Sequence, residues 1–197
     1  MTNQFTENNL IEKTAIEIFQ NLWWQNCFID AFTKEGEEKL ARNNRWEVVL
    51  TKFLEPKLRE LNPDLPSEAI LKALEIITQD RSTLSLERAN KEIYDLLKDW
   101  VTVSYTDDDG NDKIVKVKVL DLETPENNDF MLVSQLWITG ELYTRRPDLI
   151  GFVNGIPMIF IELKWAGKNL KDAYYNNIKD YKDTIPQIFW YNAILII

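Results

Sequence analysis

Arg146-Pro-Asp-Leu-Ile-Gly-Phe-Val-Asn-Gly-Ile-Pro-Met-Ile-Phe-Ile-Glu-Leu-Lys164 is the stretch that decides the fold of this 197-residue chain. Two apolar segments, 149–153 and 158–161, flank an Asn-Gly pair, which favours the tight turn of a β-hairpin. The segments are apolar enough to be buried on both faces of a sheet. We therefore predict two central antiparallel strands, at 147–153 and 157–164, with charged residues at the end away from the turn.

Three charged groups lie at that end: Asp148, Glu162 and Lys164. Phosphodiester hydrolysis needs an activated water and neutralisation of the charge that develops on the phosphate, and Mg²⁺ held by oxygen ligands supplies both. Asp148 and Glu162 are candidate metal ligands, with the backbone carbonyl of Leu163 as a third, and Lys164 would stabilise negative charge. The same pattern also fits solvated strand ends or surface ion pairs, so by itself it leaves both interpretations open.

The register of the hairpin is a geometric requirement of the nuclease hypothesis. Alternation along a strand places Glu162 and Lys164 on one face. A regular two-residue turn puts Asp148 opposite Ile161, which turns Glu162 to the other face. A three-residue loop, or a bulge near Gly151, corrects the phase. The hypothesis therefore predicts an odd loop or a bulge in this hairpin.

Composition excludes several classes of site. The chain is 45% hydrophobic and 12% aromatic, which indicates a folded domain. It contains no histidine, so Ser-His-Asp catalysis and His-ligated zinc are excluded. Its single cysteine excludes an internal disulfide and fits a cytoplasmic protein. No apolar stretch approaches the length of a membrane span, so no membrane partner is expected.

The net charge of −9 argues against tight DNA binding by the chain alone, because phosphate contacts come from a positive surface. The argument is weaker for a domain that works inside a larger assembly whose other parts hold the DNA. The acidic turn at 107–111 fits either a calcium loop or plain turn chemistry, and it lacks the downstream glutamate of an EF-hand. Six tryptophans are expected to lie in the core rather than to stack on bases: Trp23, Trp24, Trp46, Trp100, Trp137 and Trp190.

Hydrophobic periodicity divides the chain into two parts within a single predicted domain, 1–197. Residues from about 1 to 99 are predicted to be mostly helical, with helices at 7–22, 45–61, 66–79 and 85–98 and a kink or an interruption at Pro56. Residues from about 100 to 197 are predicted to be rich in strands, with a hairpin at 101–120, a strand at 130–139, a helix at 168–181 and a strand at 192–197. The apolar ending Ala-Ile-Leu-Ile-Ile suggests the front fragment of a longer chain.

The stretch 146–164 resembles the N-terminal nuclease domain of the R (restriction) subunit of type I restriction enzymes. The resemblance extends to further segments at 61–70, 125–130, 185–186 and 191–193. It implies an α/β (α+β) fold with a restriction-endonuclease-like PD-(D/E)xK core, in which helices flank a central mixed sheet. It matches Asp148, Glu162 and Lys164 to the Asp, Glu and Lys of that motif.

The resemblance also implies auxiliary residues. Members of the family carry a Gln-x-x-x-Tyr element near DNA, which Tyr181 matches and in which Asn177 replaces the Gln. Tyr181 also fits a half-buried helix aromatic. An acidic residue of the first helix often joins such sites, and Glu12 is preferred over Glu7, although both fit solvated helix charges.

The implied function is Mg²⁺-dependent cleavage of double-stranded DNA in a type I restriction-modification system. The implied partners are the modification (methyltransferase) and specificity subunits. ATP is expected to serve the helicase-like motor domains of the full-length subunit, which translocate DNA and lie outside these residues. Two alternatives remain: a nuclease-like scaffold that only docks the motor or partner subunits, and a stand-alone PD-(D/E)xK repair nuclease.

Overall fold

The structure is a computed structural model, which describes residues 2–22, 24, 28–107, 109–164, 171 and 174–197, with side chains from residue 11 onwards. Six α-helices lie in these residues: α1 Thr2–Asn21, α2 Lys34–Leu40, α3 Thr51–Leu61, α4 Ser67–Thr78, α5 Leu86–Asp99 and α6 Lys179–Thr184. A π-helical turn, Tyr174–Ile178, precedes α6, and 3₁₀ turns occupy Pro125–Asn127 and Pro186–Trp190. None of the described helices has the length and apolar character needed to cross a membrane.

The helical front half is confirmed, with the starts of two helices displaced: α1 begins at Thr2 instead of residue 7, and α3 begins later than predicted. Helices α4 and α5 begin and end within a residue of their predicted limits, and the Ser85 hydroxyl caps α5. Helix α3 begins at Thr51 instead of residue 45, and it continues through Pro56 without interruption. The preceding Leu50 is buried, and its N–H donates to the Gly155 carbonyl rather than joining a helix. Of the helix predicted at 168–181, the start lies outside the described residues.

Nine strands are described: β1 Phe28–Asp30, β2 Val101–Thr106, β3 Asp112–Val117, β4 Phe130–Ser134, β5 Ile138–Thr139, β6 Thr144–Arg145, β7 Leu149–Val153, β8 Ile156–Ile161 and β9 Ile194–Ile196. The central sheet has the order β1-β4-β7-β8-β9. It is parallel at both ends and antiparallel through β4, β7 and β8, so it is mixed, as expected. Strands β2 and β3 form the predicted hairpin as a separate sheet, and β5 pairs with β6.

The strand predicted at 130–139 is wrong as one element. It ends at Ser134 because Gln135 adopts a left-handed conformation with φ of 54°. The Gln135 N–H then donates to the Asp148 carbonyl, at 2.9 Å, at the entrance of β7. The chain direction changes here, and the apolar pattern continues in the short strand β5 instead.

The central sheet is covered on both faces. On one face, Ile16 and Phe19 of α1 pack with Trp24 against Leu149 and Ile161. On the other face, buried side chains of alternate strand positions enter the main core, and these include Val133, Ile150, Phe152 and Phe160. By the same alternation, Asp148 and Glu162 belong to the face of Ile150 and Phe160.

The connection of β7 to β8 meets the register requirement by a bulge and not by a longer loop. Asn154 and Gly155 have φ of 54° and 83°, as a two-residue type I′ turn requires. Beyond the turn the pairing slips between Gly151 and Phe152, so that Met158 is the extra residue of β8. The final pair is Leu149 with Ile161, and continuing this register places Asp148 opposite Glu162.

The hairpin turn is buried against the rest of the fold. The fully buried Asn154 amide donates to the Val119 carbonyl and to Asn128 Oδ1, both at 2.9 Å, and accepts from the Asp129 N–H at 2.8 Å. A Cβ on Gly155 would lie 2.6 Å from the Leu50 carbonyl oxygen. These contacts fix the turn, and the turn in turn fixes the register of both strands.

The tryptophans do not all lie in the core. Trp24 and Trp190 are buried, which confirms the expectation for these two. Trp100 is 40% exposed, so the expectation is wrong there. Trp46 and Trp137 are half-buried, and Trp23 lies outside the described residues.

Candidate functional site

Polar residues end four neighbouring strands at one edge of the central sheet. Strand β1 ends at Asp30 and its parallel neighbour β4 ends at Ser134. Strand β7 begins immediately after Asp148, and β8 ends immediately before Glu162. Because β7 runs antiparallel to both β4 and β8, these four residues meet at the same edge. This edge is the one opposite the buried Asn154 turn.

The Asp148 carboxylate is half-buried at the end of the hairpin. Its Oδ2 accepts a hydrogen bond from the Leu163 N–H at 2.7 Å, across the end of the hairpin. Burial, together with the charge of Glu162, raises the pKa of Asp148 to about 6, although the Leu163 N–H and Lys164 act in the opposite direction. Between its ordinary pKa and about 6, the folded chain keeps a proton that the unfolded chain releases. The contribution of this group to stability therefore falls as pH rises through that window.

The Glu162 carboxylate is buried, and its two oxygens differ in their hydrogen bonding. Its Oε1 accepts from the Lys164 ammonium at 2.8 Å and from the Asn177 side-chain amide. Its Oε2 is buried and finds no hydrogen-bond partner among the described residues. A buried carboxylate oxygen without a donor is costly, and a bound cation would relieve that cost.

Tyr181 and Asn177 join the site from the π-helical turn and α6. The Tyr181 ring packs on Phe160, with centroids 5.6 Å apart. Burial, and then the charges of Glu162 and Asp148, raise the pKa of Tyr181, so its hydroxyl stays protonated and can donate. Asn177, predicted as a DNA-contact or auxiliary residue, donates its side-chain amide to Glu162 Oε1.

Glu12 lies at the border of the site. Its Oε2 accepts from the Gln135 side-chain amide at 3.3 Å, and its charge is the smallest of the influences that raise the Asp148 pKa. Burial, and then the charge of Asp30, raise the pKa of Glu12 itself. The side chain of Glu7, the alternative candidate, lies outside the described residues.

Sequence reasoning missed two residues of this edge. Gln135 donates from its backbone to Asp148 and from its side chain to Glu12, so it connects the two acidic residues. Its signal was present, since Ser134 and Gln135 interrupt an otherwise apolar run. Asp30 ends a strand of only three residues, which is too short for a periodic pattern to reveal.

The assembled site combines two carboxylates with an amine and a protonated phenol. Among the described residues no three acidic, histidine or cysteine side chains converge as metal ligands, so a cation here would rely on Asp148, Glu162 and backbone or solvent oxygens. The sequence-predicted trio of Asp148, Glu162 and Lys164 is brought together. The carbonyl of Leu163 stays a predicted ligand, while its N–H is bound to Asp148.

Comparison with known proteins gives consistent matches. Residues 4–197 match the family model described as type I restriction enzyme R protein N terminus. The chain is 37% identical over 193 residues to the type I restriction enzyme HindI endonuclease subunit of Haemophilus influenzae, covering 96% of this chain and 18% of that protein. It is 29% identical over 202 residues to a putative type I restriction enzyme MjaIXP endonuclease subunit of Methanocaldococcus jannaschii, covering 98% and 18% respectively.

The extent of these matches fixes what they establish. The chain spans less than a fifth of the length of both relatives, 18% in each case, and nearly its whole length takes part. The family model likewise covers almost every residue, including both the helical part and the sheet with its charged edge. The chain therefore belongs to the family of N-terminal regions of type I restriction enzyme R proteins.

Proposed function

We propose that this chain is the nuclease domain of a type I restriction enzyme R subunit and that it hydrolyses double-stranded DNA with Mg²⁺. The observation that carries the proposal is the convergence of Asp148, Glu162 and Lys164 at one sheet edge, which the β8 bulge makes possible. The relatives are named as endonuclease subunits, and this supports the same assignment. The mixed sheet with flanking helices is compatible with a PD-(D/E)xK core.

The side chains fit a hard divalent cation. Carboxylate and carbonyl oxygens are the ligands that Mg²⁺ prefers, and Glu162 Oε2 is a buried oxygen that lacks a donor among the described residues. Asp148 and Glu162 would hold the ion, with the Leu163 carbonyl as the further protein ligand. When bound, the ion would lower the pKa of a water molecule and neutralise charge on the phosphate.

The chain's own groups have distinct roles in this reaction. The Lys164 ammonium, now paired with Glu162, can donate to the attacking water or to a phosphate oxygen, and its positive charge stabilises the developing negative charge. Asn177 holds Glu162 Oε1 and so orients the carboxylate. The protonated Tyr181 hydroxyl is a donor close to both carboxylates. Lys164 and Asn177 both contact Glu162 Oε1, so these groups already lie together without DNA.

The proposal extends to a larger assembly. A net charge of −9 suits a domain to which other parts of a complex present DNA. Modification and specificity subunits are the proposed partners, in the cytoplasm. ATP-driven motor domains of the full-length subunit are proposed to translocate the DNA. A scaffold that only docks the motor would need neither a metal site nor Lys164.

A Mg²⁺ titration tests the proposal, with cleavage and ATP hydrolysis followed in the same reaction by the full-length subunit in its complex. Glu162→Gln is expected to raise the Mg²⁺ concentration needed for cleavage by at least about tenfold, because one ligand charge is lost. ATP hydrolysis should keep the wild-type Mg²⁺ dependence. Wild-type cleavage should also need more Mg²⁺ at pH about 5.5 than at pH about 8, because a proton competes for Asp148.

Glu126→Gln is the matched control, since Glu126 is exposed and lies at the far end of β4 from the site. It should leave both Mg²⁺ dependences unchanged. Equal Mg²⁺ dependence of cleavage in Glu162→Gln and wild type would refute the metal site. Undiminished assembly and ATP hydrolysis by a wild-type complex that never cuts DNA would support the docking scaffold instead.

A further inference from the structure

Two arginines and two aromatic rings form a cluster beside the carboxylate edge. The Arg146 guanidinium carbon lies 5.0 Å from the ring centroid of Phe32 and 5.0 Å from that of Trp137. The Arg45 guanidinium carbon lies 5.5 Å from the centroid of the same Trp137 ring. These four residues are called the arginine cluster below. Cations contact aromatic rings favourably in this distance range, so the rings orient both guanidinium groups.

The arginine cluster belongs to the same edge of the sheet as the carboxylates. Arg146 is separated from Asp148 only by Pro147, and its charge lowers the pKa of Glu12. Phe32 follows the end of β1, and Trp137 follows the end of β4. The positively charged Arg146 therefore lies next to the acidic Asp148 and Glu12, in a chain whose overall charge is negative.

The hydrogen-bonding capacity of Arg146 is unused within the described residues. Its neighbour Arg145 donates from Nη2 to Asp180 at 3.0 Å, and Arg42 is buried with Glu37, whereas Arg146 has no hydrogen bond or ion pair in the described part of the chain. Arg45 is half exposed and only loosely paired, with its Nε 3.8 Å from Glu37. Ring contacts fix the plane of a guanidinium and leave its edge donors available.

The exposure of Phe32 fits a ligand-facing surface. Phe32 is 62% exposed although its side chain is large and apolar, and one of its described contacts is Arg146. Stacking an arginine on an exposed ring keeps its side chain extended towards solvent. An oriented guanidinium with free donors is well suited to a phosphate, which it can bind through two parallel hydrogen bonds.

We propose that Arg146, with Arg45 beside it, binds backbone phosphates of the DNA strand that enters the Asp148 and Glu162 site. This rests on the proposed function, since DNA is the ligand. The contact would hold the strand without reading its sequence, because phosphates carry no base information. It would also supply, locally, the positive charge that the chain lacks overall.

The test is DNA binding by the 197-residue chain to a duplex of about 20 base pairs, measured by fluorescence anisotropy without divalent cation from about 25 to 150 mM salt. Each phosphate contact contributes about 0.9 to the slope of log affinity against log salt. Arg146→Ala is expected to reduce the slope by about 1, and the Arg45→Ala, Arg146→Ala double variant by about 2. Arg146→Lys should keep most of the slope and bind more weakly than wild type, because it retains the charge without the planar fork.

Arg59→Ala is the matched control. Arg59 is 41% exposed on α3, the helix that begins beside the hairpin turn at the other end of the sheet. The Arg59→Ala substitution removes the same charge and should leave the slope of log affinity against log salt unchanged. Thermal unfolding of each variant shows whether the fold is intact, and if Arg146→Ala unfolds, Arg45→Ala with an expected slope reduction of about 1 decides.

The proposal is overturned if the salt slope of Arg146→Ala equals that of Arg59→Ala. Where Arg146→Ala unfolds, the same comparison is made with Arg45→Ala. A wild-type chain without salt-dependent binding would also overturn the proposal. The outcome is separable from that of the proposed function, because binding is measured without metal or cleavage. If Arg146→Ala reduces the salt slope but Glu162→Gln leaves the Mg²⁺ dependence of cleavage unchanged, the arginine cluster is supported and the nuclease centre is refuted. If Arg146→Ala leaves the salt slope unchanged but Glu162→Gln raises the Mg²⁺ requirement of cleavage, only the arginine cluster is refuted.

Discussion

Replacing Lys164 with alanine is expected to reduce DNA cleavage by about 10²–10³-fold while leaving ATP hydrolysis and complex assembly unchanged. Lys164 is the cation that lies against the Glu162 carboxylate, with its amine 2.8 Å from Oε1. Its removal takes a positive charge from the place where negative charge develops on the phosphate. The measurement is the single-turnover rate of cleavage of an unmethylated plasmid by the full-length subunit with its partners.

Lys91→Ala is the control for this substitution. Lys91 also pairs with a carboxylate, Asp95, but it lies on the exposed side of α5 with a side chain that is 66% exposed. It should cleave at the wild-type rate. A Lys164→Ala protein that cuts as fast as Lys91→Ala would contradict the assigned role of Lys164, and loss of ATP hydrolysis in parallel would point to a structural effect.

Replacing Asn154 with alanine is expected to destabilise the fold by about 3–5 kcal/mol, or roughly 10 °C in melting temperature. The substitution leaves the buried Val119 carbonyl and Asp129 N–H without their side-chain partner. It also places alanine at φ of 54°, where a residue other than glycine or asparagine is strained. The measurement is thermal and denaturant unfolding of the 197-residue chain.

Two further variants separate the causes. Asn154→Gly removes the side-chain bonds without the backbone strain, so it should be destabilised less than Asn154→Ala. Asn111→Ala, in the exposed turn between β2 and β3, should change stability by no more than about 1 kcal/mol. A melting temperature for Asn154→Ala equal to that of Asn111→Ala would show that the turn is not the anchor of the hairpin.

The hairpin was the part of the fold most accessible from sequence. Asn154-Gly155 between two apolar runs predicts a tight turn, and the nuclease hypothesis for Asp148 and Glu162 then requires a three-residue loop or a bulge. The structure has a bulge at Met158 of β8, the strand that pairs with Gly151 of β7, near which the bulge was predicted. Gly151 itself remains important, because a Cβ there would lie 2.8 Å from the Trp24 ring.

Long-range contacts account for what sequence reasoning did not find. Gln135 acts through a left-handed backbone and through partners that are distant in the chain, Asp148 and Glu12. Local periodicity treated it as one residue of a continuous strand. Arg146 and Phe32 come together only because β1 and β7 flank β4 in the sheet, and no local pattern specifies that order.

The central claim is that the β8 bulge places Asp148 and Glu162 on one face, where they share a divalent cation. A crystal structure of the chain with Mn²⁺ in place of Mg²⁺, using the anomalous signal of the metal, tests it most directly. The expected result is an ion within about 2.5 Å of carboxylate oxygens of both residues. An ion bound elsewhere, no ion at a Mn²⁺ concentration that supports cleavage, or the two carboxylates on opposite faces of the hairpin would contradict the claim.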